Sequence, residues 1–167
     1  MSRRPRLLPL VLALAATPAF TQEPPRSAIF LHPDGMGANT WAATRLATVG
    51  PDGRLAWDRL PRLAIYVGPM TDSTNASSNG GATTHAYGVR ATLDSYGWVV
   101  PGEVPVAASG ERLSLMREAQ RSGKKVAILN SAPITEPGTG AFLATILDRD
   151  DEAGIAAQIL DGRPDIM

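Results

Sequence analysis

The chain alternates between short apolar runs and longer stretches in which apolar residues recur at helical spacing. The pattern predicts strands at residues 27–32, 63–68 and 126–130, and helices at residues 39–48, 112–123, 140–147 and 151–160. A further helix begins near two adjacent serines, Ser77 and Ser78. Short strands that alternate with amphipathic helices predict an α/β domain whose mostly parallel sheet is covered by helices on both faces.

Polar residues follow all three predicted strands. Asp34 comes after the first strand, Ser77 and Ser78 after the second, and residues 136–139 after the third. In open α/β sheets, ligands bind at the carboxyl ends of the strands. These residues are therefore predicted to converge on one binding site.

The first residues have the pattern of a secretory signal. Three arginines precede the apolar run at residues 7–16, and small residues follow it. We interpret residues 1–21 as a signal peptide, 22–26 as a linker and 27–167 as a domain, with export to the periplasm or the cell exterior. The run is shorter than the ~20 residues that span a bilayer, and an uncleaved membrane anchor is the alternative.

Charge and cysteine content exclude several kinds of site. Lysine plus arginine and aspartate plus glutamate both number 16, so no basic surplus indicates a nucleic-acid partner. Cysteine is absent, which excludes disulfides and thiolate metal sites.

Asp34 and the two serines have the residue types that metal and phosphate chemistry uses. Asp34, between a predicted strand and Gly35, suits a cation such as Mg²⁺ or Zn²⁺; an ordinary Asp-Gly turn is the alternative. A hydroxyl at a helix entrance lies among unpaired backbone N–H groups that stabilise a phosphate. The alternative for either serine is a helix N-cap.

Arg149 lies in the acidic segment 148–152. Its planar guanidinium matches two phosphate oxygens, and a solvated ion pair with a neighbouring aspartate is the alternative.

Taken in order, these motifs resemble the alkaline phosphatase family. The segment DGMG at residues 34–37 is similar to that family's first metal-binding motif. Ser78 is followed five residues later by Thr83 and then by the Gly-Val-Arg at residues 88–90, which resembles the nucleophile motif. Residues 134–142 resemble the segment that carries magnesium ligands, and Arg149 then matches the phosphate-binding arginine.

The resemblance implies hydrolysis of phosphate monoesters through a phosphoserine at Ser78. It implies two zinc ions and one magnesium ion, with Asp34, Ser78, Glu136 and Thr139 as ligands and Arg149 as the clamp on the phosphate. It further implies the amino-terminal part of a longer exported enzyme, inactive alone and a homodimer at full length, with no stable membrane insertion after signal cleavage.

The sequence departs from the family pattern at three places. Ser77 stands where the family usually has an aspartate. In an ungapped alignment, Gly138 occupies the position of a threonine magnesium ligand, and Thr139, one residue away, is the threonine that a local shift would place there. The two histidines, His32 and His85, cannot furnish two zinc sites, and each is interpreted as a packing or capping residue.

Two other functions stay open. One is a phosphodiesterase of the same superfamily, and the other is a secreted protein that binds phosphate or a metal without turnover. Within the phosphatase interpretation, Ser73 after Asp72 is the second candidate nucleophile.

Overall fold

The computed structural model describes residues 26–64 and 70–167, and these contain five α-helices. The helices are Ala38–Thr48 (α1), Ser78–Tyr87 (α2), Leu115–Arg121 (α3), Pro137–Gly140 (α4) and Glu152–Asp161 (α5), with a 3₁₀ turn at Ala56–Arg59. Residues 26–31 are the described end of an amino-terminal unit, and His32–Met167 form a second, larger unit.

Helix α2 lies at the centre of the larger unit. Seven of its residues are buried, although its sequence is mostly small and polar rather than apolar. Small side chains allow close approach of neighbouring elements, and α2 packs against both α3 and α4. The helix that carries the candidate nucleophile is therefore held from several sides.

The core surrounds Tyr96, whose ring is 1% exposed. Aliphatic residues from α5 and from the segment after α4 pack against it, namely Ile155, Ile159, Ala141, Leu143 and Ala144. A second cluster joins Ala86 and Tyr87 of α2 to Phe142 and Ala107. Both clusters lie next to the segment that leads to Arg149.

Strand pairing in the described residues is limited to two isolated bridges, Tyr96 with Ile146 and Ala127 with Ile166. In the predicted strand at 126–130, only Ala127 pairs with another segment, while Val126 and Ile128 are buried and the residues between and after them are exposed, as in a strand with one covered face. No strand is formed at 27–32, and the boundary between the two units falls inside this range, between Leu31 and His32. The predicted strand at 63–68 lies largely outside the described residues. The mostly parallel sheet stays a prediction.

Three helices predicted with both ends are confirmed with small shifts, as α1, α3 and α5, and the helix predicted to begin near Ser77 and Ser78 is confirmed as α2. The helix predicted at 140–147 is wrong, because helical structure ends at Gly140 and the chain then turns to pair Ile146 with Tyr96. A Cβ on Gly140 would lie 1.7 Å from the Tyr96 hydroxyl. This close packing, and not helical periodicity, determines where the apolar residues after Gly140 go.

The predicted signal peptide and most of the predicted linker lie outside the described residues. Within residues 26–64 and 70–167, no helix combines the length and the apolar character that a bilayer span requires.

Candidate functional site

Ser77 and Ser78 have different positions at the start of α2. Ser77 is the N-cap, and its hydroxyl accepts a hydrogen bond from the Gly80 N–H at 3.1 Å and donates one to the Leu93 carbonyl. Ser78 is the first residue of the helix and is half-buried. Ser77 is therefore the residue with the N-cap role, and Ser78 lies in the first turn of the helix without that role.

At the start of α2, the Gly80 N–H bonds to the Ser77 hydroxyl and the Leu93 carbonyl, so the N–H groups of Ser78 and Asn79 are the ones to consider for an anion. The first N–H groups of a helix have no partner within the helix, and that end carries partial positive charge. Gly80 fits against the neighbouring segment so closely that a Cβ there would lie 2.3 Å from the Thr92 carbonyl oxygen. The position of the helix start is therefore fixed by backbone packing.

Thr83, the motif residue five positions after Ser78, is fully buried and holds α2 to the loop at residues 92–97. Its hydroxyl donates to the Ser95 carbonyl at 2.8 Å and accepts from the Gly97 N–H at 2.8 Å. The loop in turn pairs with the segment before Arg149, since the Ile146 N–H donates to the Tyr96 carbonyl at 3.1 Å. A continuous set of hydrogen bonds thus connects the nucleophile helix to the arginine segment.

Arg149 lies beside the start of α2. One terminal nitrogen of its guanidinium donates to the Asn79 side-chain oxygen at 3.2 Å, and the other donates to Glu136 at 3.1 Å. The structure therefore brings together three of the predicted polar segments, those of Ser78, Glu136 and Arg149. The ion-pair alternative for Arg149 is correct in kind, but its partner is Glu136 rather than a neighbouring aspartate.

Thr139, predicted as a magnesium ligand, has hydrogen-bond partners for its hydroxyl in the described fold. It is 9% exposed, and its hydroxyl accepts from the Asn130 amide at 3.0 Å. The same hydroxyl donates within its own turn, to the carbonyls of Ile134 or Glu136. These bonds fix the turn that presents Glu136 to Arg149.

Tyr96 also stabilises the turn that carries Glu136. Its buried hydroxyl donates to the Thr135 carbonyl at 2.6 Å. Burial raises the pKa of Tyr96 well above its usual range, and the nearby Glu136 carboxylate adds to the shift. Tyr96 is therefore a neutral donor, and the strand and helix patterns gave no signal of this role.

The residues predicted to bind metals do not form a ligand set among the described residues. Asp34 is exposed, Glu136 pairs with Arg149, and the Thr139 hydroxyl is used within its turn. In residues 26–64 and 70–167, no group of three or more His, Asp or Glu side chains is arranged to hold an ion. The described residues alone do not fit the two zinc ions and one magnesium ion that the resemblance implies.

His32 and His85 contact each other, a pairing that neither local sequence indicates. Their Nδ1 atoms are 3.0 Å apart and the rings meet edge to face. The His32 ring also lies against Gly138, where a Cβ would be 3.3 Å from His32 Cδ2. Burial, and secondarily the proximity of His32, lowers the pKa of His85.

This pair predicts a pH-dependent stability. The folded protein disfavours protonated His85, so the pKa of His85 is lower in the folded state than in the unfolded state, where it is about 6.5. The folded state therefore keeps its full stability above pH about 6.5 and loses part of it as the pH falls through the lower pKa of folded His85. We expect urea unfolding to give a smaller free energy at pH about 5.5 than at about 7.5. His85→Gln should reduce that difference, and an unchanged difference in the variant would contradict the assignment.

The second candidate nucleophile, Ser73, lies in a local turn. Its hydroxyl oxygen accepts from the Asn75 N–H at 3.1 Å, and the preceding Asp72 accepts from the Leu93 N–H at 2.8 Å. Both residues thus organise the loop before α2.

The chain is similar in sequence to known alkaline phosphatases. The alkaline phosphatase of Gadus morhua is 29% identical over 156 residues, which cover 80% of this chain and 33% of the relative. The tissue-nonspecific isozyme of Mus musculus is 28% identical over 142 residues, with 75% of this chain and 26% of the relative covered. The chain therefore spans no more than about a third of the length of these relatives.

The chain is also similar in fold to solved structures of alkaline phosphatases. A cold-active alkaline phosphatase from the psychrophile Shewanella sp. has a TM-score of 0.68 at 21% identity and covers 80% of this chain and 33% of its own. A mutant TAB5 alkaline phosphatase with Mg bound in its M3 site has a TM-score of 0.65 at 19% identity, covering 79% of this chain and 35% of its own. The likeness shows the α/β fold of these enzymes. Since the alkaline phosphatase family model matches residues 26–167, the chain belongs to the alkaline phosphatase family.

Proposed function

We propose that the protein is an exported, metal-dependent phosphomonoesterase that acts through a phosphoserine at Ser78. The observation that supports the proposal most directly is the hydrogen bond from Arg149 to Asn79, the residue that follows Ser78 in the first turn of α2. This place suits a phosphate group because it combines a guanidinium, the half-buried Ser78 and the amino terminus of a helix.

The proposed reaction has two steps. The Ser78 hydroxyl loses its proton as its oxygen bonds to phosphorus, the bond from phosphorus to the leaving alkoxide breaks, and the alkoxide takes up a proton. A water oxygen then bonds to the phosphorus of the phosphoserine, the bond from phosphorus to the Ser78 oxygen breaks, a proton from the water returns to Ser78, and inorganic phosphate leaves. Arg149 and the first N–H groups of α2 stabilise the negative charge on the phosphoryl oxygens in both steps.

Metal dependence is part of the proposal: a bound metal ion would lower the pKa of the serine hydroxyl and stabilise negative charge on the phosphoryl oxygens. It is supported by family membership and by the relative that binds Mg in its M3 site. Asp34 and Glu136 are the described carboxylates that we propose as ligands, but the described residues do not complete a site. Zinc, the magnesium ligand role of Thr139 and a homodimeric assembly are further proposals that rest on the resemblance.

A protein that binds phosphate without turnover is the second candidate, because the described residues hold no complete ligand set. It uses the same Arg149 and the same helix terminus. It differs in predicting a phosphate complex without a covalent serine adduct.

An assay of the protein at its natural length tests the proposal. We expect hydrolysis of an aryl phosphate monoester with added Zn²⁺ and Mg²⁺, loss of activity with a chelator, and acid-trapped phosphate on Ser78 in peptide mapping. Faster hydrolysis of an aryl diester would assign a phosphodiesterase instead. Phosphate binding without any turnover or adduct would favour the second candidate.

A further inference from the structure

Asn79 is a buried polar residue of α2 that hydrogen-bonds to Arg149. It follows Ser78 directly in the first turn of α2, and it is 6% exposed. Its side-chain oxygen accepts the hydrogen bond from Arg149 at 3.2 Å. A buried amide that faces an arginine fixes the arginine's orientation, because the amide cannot rotate away without losing its partner.

The other partner of Arg149 is held less firmly. The Arg149 and Glu136 side chains are 43% and 38% exposed, and exposed ion pairs are weakened by water and salt. A guanidinium has five N–H donors, and the bonds to Asn79 and Glu136 engage only two of its nitrogens. Donors therefore remain for two oxygens of a phosphate while Asn79 keeps its contact.

Ser77, the other polar neighbour of Ser78, is not available to orient Arg149. Its hydroxyl caps α2 and donates to the Leu93 carbonyl. Asn79 belongs to the same rigid helix as Ser78, so its contact with Arg149 sets the arginine relative to the nucleophile.

We propose that Asn79 is the positioning residue for Arg149, holding one edge of the guanidinium so that the remaining donors face phosphate bound at Ser78. This inference rests on the proposed function. It adds a residue to the site that acts through Arg149 and not on the phosphate itself.

A double-mutant cycle on inorganic phosphate binding tests the inference, with dissociation constants from calorimetry on the protein at its natural length. Asn79→Ala should weaken binding by about three- to tenfold, which corresponds to one hydrogen bond. In the Arg149→Ala background the same substitution should change binding by less than about twofold, since its partner is gone. Asn75→Ala, at an exposed asparagine in the preceding loop, is the matched control and should bind phosphate like the wild type.

Each other outcome has a distinct meaning. An equal loss in both backgrounds would make Asn79 a structural residue, and no loss in the wild-type background would also overturn the inference. If Arg149→Ala alone leaves phosphate binding intact, or if the wild type does not bind phosphate, the proposed function fails first. Should Asn79→Ala unfold, Asn79→Leu keeps the buried volume without the acceptor and takes its place in the cycle.

Discussion

Replacement of Ser78 by alanine should abolish hydrolysis of an aryl phosphate while the fold is retained. Loss of a nucleophile costs roughly 10⁴- to 10⁶-fold in turnover in well-studied hydrolases. Ser78 is half-buried at the first position of α2, and the cap of the helix is supplied by the neighbouring Ser77. Because the cap remains, the unfolding midpoint of Ser78→Ala should stay close to that of the wild type.

Two matched serine variants separate chemistry from structure. Ser77→Ala removes the cap, whose loss typically costs about 0.5–2 kcal/mol of stability, and should retain turnover at a temperature where the variant is folded. Ser73→Ala removes an acceptor from a local turn and should leave turnover nearly unchanged. Full activity in Ser78→Ala, or its loss only in Ser73→Ala, would move the nucleophile to the earlier loop.

Local sequence rules predicted the helices well where a polar cap and apolar periodicity agree. Ser114 and Asp151 cap α3 and α5 with their side chains, and both helices lie inside the predicted ranges or within one residue of them. The helix predicted at 140–147 failed because Ala141, Leu143 and Ala144 pack in the Tyr96 cluster, while Phe142 packs against Ala86 and Tyr87 of α2. Apolar spacing alone does not distinguish those two outcomes.

The candidate site could be predicted in outline but not in its contacts. Motif order predicted Ser78 and Arg149 as site residues, and the position of Glu136 after a predicted strand predicted that it lies near Ser78. The structure brings all three segments together. The roles of Asn79, Thr139 and the His32–His85 pair depend on contacts between residues far apart in the chain. Such contacts follow from packing, which no single segment determines.

Gly97 is a position where one added methyl group should strongly destabilise the fold. Its φ is +71°, and a Cβ there would lie 2.0 Å from the Ala144 carbonyl oxygen. Its N–H donates to Thr83 at 2.8 Å and its carbonyl accepts from Thr145 at 3.0 Å, so it joins α2 to the segment that leads to Arg149. We expect Gly97→Ala to lower the free energy of unfolding by at least about 3 kcal/mol, from backbone strain and overpacking together.

Gly102→Ala is the control that separates the two costs. Gly102 has a similar φ of +77°, but nothing lies within 4 Å of a Cβ at that position. Its substitution should therefore cost only the backbone term, about 1–2 kcal/mol, and urea unfolding measures both variants. Equal losses would show that the Ala144 carbonyl can move aside. A larger loss at Gly97 would show that the carbonyl moves only at a further cost in stability. Any folded Gly97→Ala protein has to displace the Ala144 carbonyl, and it should bind phosphate more weakly, because the segment that follows carries Arg149.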